Sequence, residues 1–66
     1  MRLTVNGRQM SAEPESSVES LVASLTPARR GVAVAVNGSV VPRSAWRTVV
    51  LAQGDVVEVL TAAQGG

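Results

Sequence analysis

The chain ends in Gln64-Gly65-Gly66, and the terminal carboxylate of Gly66 is the group in this sequence best suited to chemistry. It sits on a carbon without a side chain, and Gly65 adds a second unobstructed joint. Glycine reaches backbone conformations closed to other residues and permits close approach by another chain. A tail of that shape can thread into the active site of another protein. A carboxylate is a poor electrophile, because attack on it must break its resonance and expel an oxide. Activation as a mixed anhydride with a nucleotide phosphate removes that obstacle. The protein that carries such an end needs no catalytic residues of its own. It needs only to deliver the end.

The remaining side chains exclude most other chemistry. The chain has no cysteine, so thiol chemistry and disulfide staples are absent. It has no histidine, which removes the commonest general base and metal ligand. Its six basic residues are all arginine, so no lysine can form a Schiff base. Five carboxylates remain, and no two sit at a spacing that argues for acid–base catalysis. No metal site and no bound cofactor are expected. A net charge of +1 and a single aromatic residue, Trp46, do not make a nucleic-acid surface. No run approaches the ~20 apolar residues of a membrane span. The N-terminus reaches Asn6-Gly7 before a signal-peptide core could form. A soluble, cytoplasmic protein that is not an enzyme is expected.

Sixty-six residues make one domain, in which about 60% of the unfolded surface is buried. Met1, Leu3 and Val5 alternate with Arg2 and Thr4 as a half-buried strand. Asn6-Gly7 is a hairpin signal, and Arg8–Ser11 returns with Met10 towards the core. Ser16 followed by Glu19 reads as a capping box. The stripe Val18, Leu21, Val22 and Leu25 defines one face of a helix that Pro27 ends. Arg29-Arg30-Gly31 is a polar connection, with a phosphate contact as the alternative. Val32–Val36 is the clearest strand, its valines on one face and its alanines on the other. Asn37-Gly38 turns it back through Ser39–Val41, and Pro42 keeps that strand short or at an edge. Ser44 is placed to cap a helical turn carrying Trp46, which reads as a core or rim packer, with a partner contact as the alternative. Thr48–Leu51 reads as a short extended piece. Ala52-Gln53-Gly54-Asp55 is a turn. Val56–Leu60 is the last strand, with Val57 and Val59 on one side and Val56, Glu58 and Leu60 on the other.

One helix and four or five strands form two layers around one core. The last strand is best placed beside the first, where the apolar faces of both lie under the helix. An N-terminal hairpin, a crossover helix and a central C-terminal strand make an α+β, ubiquitin-like β-grasp arrangement with a mixed sheet. The expected division is a β-grasp domain over 1–61 and a flexible tail over 62–66.

Several local motifs agree with this order: Val34-Ala35-Val36-Asn37-Gly38, Val41-Pro42-Arg43-Ser44 with Trp46, Gly54-Asp55-Val56-Val57-Glu58-Val59, and the Gln64-Gly65-Gly66 end. Together they resemble the ThiS family of sulfur-carrier proteins of thiamine biosynthesis, over essentially the whole chain. The glycine pair alone is shared with ubiquitin-like modifiers and with the small subunit of molybdopterin synthase, which stand as the alternatives. The resemblance implies that a ThiF-type adenylating enzyme, using ATP and magnesium, converts the Gly66 carboxylate to an acyl-adenylate. A cysteine desulfurase or other sulfur donor then supplies a thiocarboxylate, and thiazole synthase accepts its sulfur. Gly66 is thereby the sulfur-bearing residue, with Gly65 and Gln64 as its tail.

If the valines pack under the helix, the open face of the sheet carries Thr4, Ala33, Ala35, Glu58 and Leu60. That is a small, mildly apolar patch beside the root of the tail. It reads as a docking surface or as an ordinary sheet face with scattered apolar residues. Arg2 and Arg8 are placed as charges at its rim.

Overall fold

The computed structural model describes residues 1–28 and 30–62. Strand β1 (Arg2–Val5) pairs antiparallel with β2 (Arg8–Ser11). The turn between them places Asn6 at φ 51° and Gly7 at φ 81°, the two positive values that a tight hairpin requires. Strand β3 (Val32–Val36) turns into β4 (Ser39–Val41) in the same way, with Asn37 at 52° and Gly38 at 85°. The last strand, β5 (Val56–Thr61), is one residue longer than its apolar run.

These strands form one sheet in the order β2-β1-β5-β3-β4. β5 is therefore central. It runs parallel to β1, with Thr4 opposite Val56, and antiparallel to β3, with Val34 opposite Val59. The alternation of Val56–Leu60 is resolved by this pairing: Val57 is fully buried and Val59 nearly so, whereas Leu60 is 65% exposed.

Helix α1 (Val18–Leu25) covers one face of the sheet. Val18, Leu21 and Val22 join Leu3, Val34 and Val57 in the core. Leu25, the last residue of the predicted stripe, is 41% exposed, because it lies in the final turn beyond the core's edge. Thr26 caps this end, one residue before Pro27.

The start of the helix departs from the capping box expected at Ser16. The N-cap is Ser17, whose hydroxyl accepts from the Ser20 N–H at 3.1 Å. The reason lies in the packing. Ser17 forms an antiparallel bridge with Val50, the Leu51 N–H donates to Ser16 O, and the Val18 N–H donates to Val49 O. This pairing holds residues 16 and 17 extended, so helical geometry begins only after them. The Glu19 N–H donates to Trp46 O, while its carboxylate lies 3.7 Å from exposed Arg47, a pair that contributes little. Ser17→Ala is expected to lower stability by about 1 kcal/mol. Ser16→Ala is expected to cost less, because its hydroxyl serves only the exposed Glu13 carbonyl. Paired urea titrations compare the two, and the reverse order would contradict the cap assignment.

The connection from β4 to β5 corrects a second expectation. Ser44 lies inside a 3₁₀ turn (Arg43–Ala45) preceded by Pro42, with no side-chain cap. Proline at the entry sets the backbone without needing a hydrogen bond from Ser44. Trp46 follows, 4% exposed, its indole N–H donating to Val41 O at 2.9 Å. It is a core residue, and the Arg43 guanidinium lies over its ring. Within Thr48–Leu51 the extended geometry is confined to the bridge at Val50, and Leu51 is buried. The turn over Ala52–Asp55 forms as expected, with the Asp55 N–H donating to Ala52 O.

Candidate functional site

The tail of this chain leaves from β5, the central strand, and its root is held from both edges. On the β3 side, Thr61 lies opposite Val32, and the Ala62 N–H then donates to Gly31 O at 2.6 Å. Gly31 adopts φ 68°, and a Cβ there would lie 2.9 Å from the Ala62 Cβ. Backbone conformation and close approach both call for glycine. The sequence placed Gly31 in a polar connection without this role. On the β1 side the backbone ladder stops when β1 turns at Asn6. The Asn6 N–H donates to Val57 O, and its side-chain amide then takes over: Nδ2 donates to Val59 O at 3.0 Å, and Oδ1 accepts from the Val59 N–H at 2.8 Å.

Asn37 secures the beginning of the same strand. Its Oδ1 accepts from the Val56 N–H, its Nδ2 donates to Asp55 Oδ1, and its own N–H donates to Val56 O. Both hairpin asparagines thus bond to β5 from opposite sides, at opposite ends. The expected tail begins at residue 62. Ala62 still bonds to the sheet; Gln64, Gly65 and Gly66 lie outside the described residues, as does Arg29.

The register brings all five residues of the expected patch onto the face opposite α1. Leu60 is paired with Ala33, Glu58 with Ala35, and Thr4 with Val56. The same alternation adds Val56 and Val40, which are 45% and 75% exposed. Val56 was legible from its parity with Leu60. Val40 was not, because it joins this face only through its pairing with Ala35. The two arginines separate. Arg2 shares the parity of Thr4, and its Nη1 donates to Gln9 Oε1 at 2.9 Å. Arg8 pairs with Val5 and so belongs to the helix side, where it lines a groove with Leu25 and Thr26. Antiparallel partners project from the same face, which overrides the expected rim role of Arg8.

Among the described residues, no three His, Cys, Asp or Glu side chains come together as a metal site. None of the described helices is long and apolar enough to cross a membrane. The sheet offers a largely apolar face, and the strand running through that face continues directly into the glycine-terminated segment.

Comparison with known proteins adds to this geometry. The model of the ThiS family matches residues 3–66. A thiazole synthase of Paramagnetospirillum magneticum is 33% identical over 66 residues, which are 100% of this chain and 20% of that protein. The chain thus spans about a fifth of the length of this curated relative. A crystal structure of a thiamine biosynthesis protein, ThiS, from Geobacter metallireducens superposes with a TM-score of 0.82 at 35% identity, covering 100% of both chains. A solution NMR structure of a thiamine biosynthesis protein from the same organism gives 0.83 at 35% identity, covering 100% of this chain and 88% of that one. The mixed sheet packed on one helix is the ubiquitin-like β-grasp shared with these structures.

Proposed function

The chain belongs to the ThiS family, and from that footing we propose that it carries sulfur for thiazole formation in thiamine biosynthesis. The observation that supports this most directly is that the family match runs through residue 66, so it includes the Gly65-Gly66 end. The chemistry requires a free α-carboxylate on Gly66. A ThiF-type partner binds ATP and magnesium, and a carboxylate oxygen attacks the α-phosphorus with release of pyrophosphate. The resulting acyl-adenylate has a good leaving group. A persulfide from a cysteine desulfurase or other donor displaces AMP to give an acyl disulfide, and an external thiol attacks the donor's sulfur, forming a mixed disulfide and leaving the thiocarboxylate. Thiazole synthase then takes the sulfur, a destination supported by the matched segment of the Paramagnetospirillum magneticum thiazole synthase. The β-grasp domain acts as the handle, and the partners hold the catalytic groups.

Intact mass of the protein isolated from its own cells tests this reading. A species heavier by one sulfur-for-oxygen exchange, mapped to Gly66, is the expected result. A Gly66 carboxyl found in amide linkage to lysines of other proteins would instead establish a modifier. An unmodified mass after incubation with the adenylating partner, ATP and a persulfide donor would exclude the carrier role.

The open face of the sheet serves in this scheme as the surface through which the adenylating partner docks. Leu60 is its largest exposed apolar side chain near the tail root, so Leu60→Asp is expected to lower kcat/KM for adenylation on the order of tenfold. The fold should remain intact, because Leu60 is already 65% exposed. Pyrophosphate release and far-UV circular dichroism, measured on one preparation, decide the point. A folded variant adenylated at the wild-type rate would remove the patch from the mechanism.

A further inference from the structure

We propose that Asn6 is a positioning residue for the carrier tail, its side-chain amide setting the direction in which β5 leaves the sheet. The inference rests on the carrier reading above and adds to it a residue remote in sequence from the tail. Parallel pairing of β1 with β5 covers only Thr4 and Val5 against Val56 and Val57. The next rung of a parallel ladder would join the Asn6 backbone to Val59, but Asn6 is in the hairpin at φ 51°. Its side chain supplies that rung instead, with one donor and one acceptor on the two polar groups of Val59. Both bonds are partly buried. Val59 is two residues before Thr61, where the strand ends.

From the other side the strand is held by β3 as far as Ala62. With Asn6 in place, the exit strand is therefore tied on both edges. Without it, β5 beyond Val57 hangs from β3 alone and can pivot about that edge. A tail that threads into a partner's active site must present its end within a narrow range of positions, since misplacement by 1 Å can cost about 10²-fold. Leu60 shares this segment, but the docking face also extends over Ala33 and Ala35 on β3 and Val40 on β4, which this rung does not hold. Loss of Asn6 should accordingly act on turnover more than on binding.

Asn37 provides the control, because it occupies the same position of the same kind of turn, and its side chain also bonds to β5. Its contacts fall at Val56 and Asp55, the end of the strand away from the tail. Asn6→Gly and Asn37→Gly both keep the positive φ and both delete a side-chain clamp. The measurements are kcat and KM for pyrophosphate exchange with the adenylating partner and ATP, well below each variant's melting temperature. Asn6→Gly is expected to lower kcat roughly tenfold with KM within about twofold, and Asn37→Gly to leave both within about twofold. A structural role alone would reduce both variants in step with their stability, and that result, or no effect of Asn6→Gly, would overturn the proposal.

A second readout needs no partner. Backbone order parameters at Thr61 and Ala62 should fall in Asn6→Gly from the rigid range near ~0.85 towards ~0.6, and should not change in Asn37→Gly. Equal values in the two variants would overturn the positioning role. If the wild-type chain is never adenylated, the carrier reading fails, and the order parameters still decide whether Asn6 holds the strand. Should Asn6→Gly not fold, Asn6→Asp keeps the acceptor for the Val59 N–H without the donor, and the same comparison applies.

Discussion

Deletion of Gly66 is expected to abolish sulfur loading while leaving the domain as stable as before. Among the described residues, the last backbone hydrogen bond from β5 to the sheet that involves the tail segment joins Ala62 to Gly31. Four residues beyond it reach at most ~14 Å when fully extended. Removing one shortens that reach by about 3.5 Å. The new terminal carboxylate, on Gly65, would have to attack the same phosphorus in a partner whose docking surface has not moved. At about 10²-fold per ångström of misplacement, a shortfall of this size leaves no measurable adenylation. None of the core residues lies near the deletion in sequence, so the thermal midpoint should stay within about 2 °C. Side-by-side mass spectrometry of the two proteins, treated with partner, ATP and persulfide donor, provides the check. Thiocarboxylate on the truncated chain at a rate near wild type would show that the tail's length does not set the geometry.

Replacement of Trp46 by alanine is expected to remove roughly a third or more of the domain's stability and to leave it marginally folded at ambient temperature. Loss of a buried tryptophan side chain typically costs about 3–5 kcal/mol. A chain of 66 residues, at roughly 0.05–0.15 kcal/mol per residue, has only ~3–10 kcal/mol to lose. Here the tryptophan also ties elements together. Its indole N–H satisfies Val41 O at the end of β4, and its backbone carbonyl accepts from Glu19 in the first turn of α1. Trp46→Phe keeps most of the apolar area and loses the indole bond, so a cost nearer 1–2 kcal/mol is expected. Urea titrations followed by far-UV circular dichroism separate the two. A cooperative transition for Trp46→Ala at the wild-type midpoint would mean that the core closes without this side chain. Since β5 is held by the whole sheet, weakening of the core should also lower adenylation.

What could be read along the chain was whatever depends on neighbours in sequence. The two Asn-Gly pairs determine hairpins, because a tight turn needs positive φ at both positions and these residues tolerate it. The alternation in Val32–Val36 and Val56–Leu60 determines which side chains face α1, since successive residues of a strand point to opposite faces. The glycine pair at 65 and 66 leaves the backbone there unobstructed, because glycine lacks a Cβ in any fold. Tertiary structure decided the rest. Ser17 rather than Ser16 caps the helix, since pairing with Val50, thirty-three positions away by number, keeps the preceding backbone extended. Arg8 turned to the helix side because its register is counted from Val5, and Val40 reached the open face because its register is counted from Ala35. Gly31 is required where Ala62 crosses it. Asn6 and Asn37 carry a second task invisible in their turns, bonding to a strand that follows them by up to 53 positions. Local sequence determines backbone conformation and facing through short-range sterics. Only the assembled sheet determines which distant polar groups meet, because those hydrogen bonds exist only when both partners have been brought together.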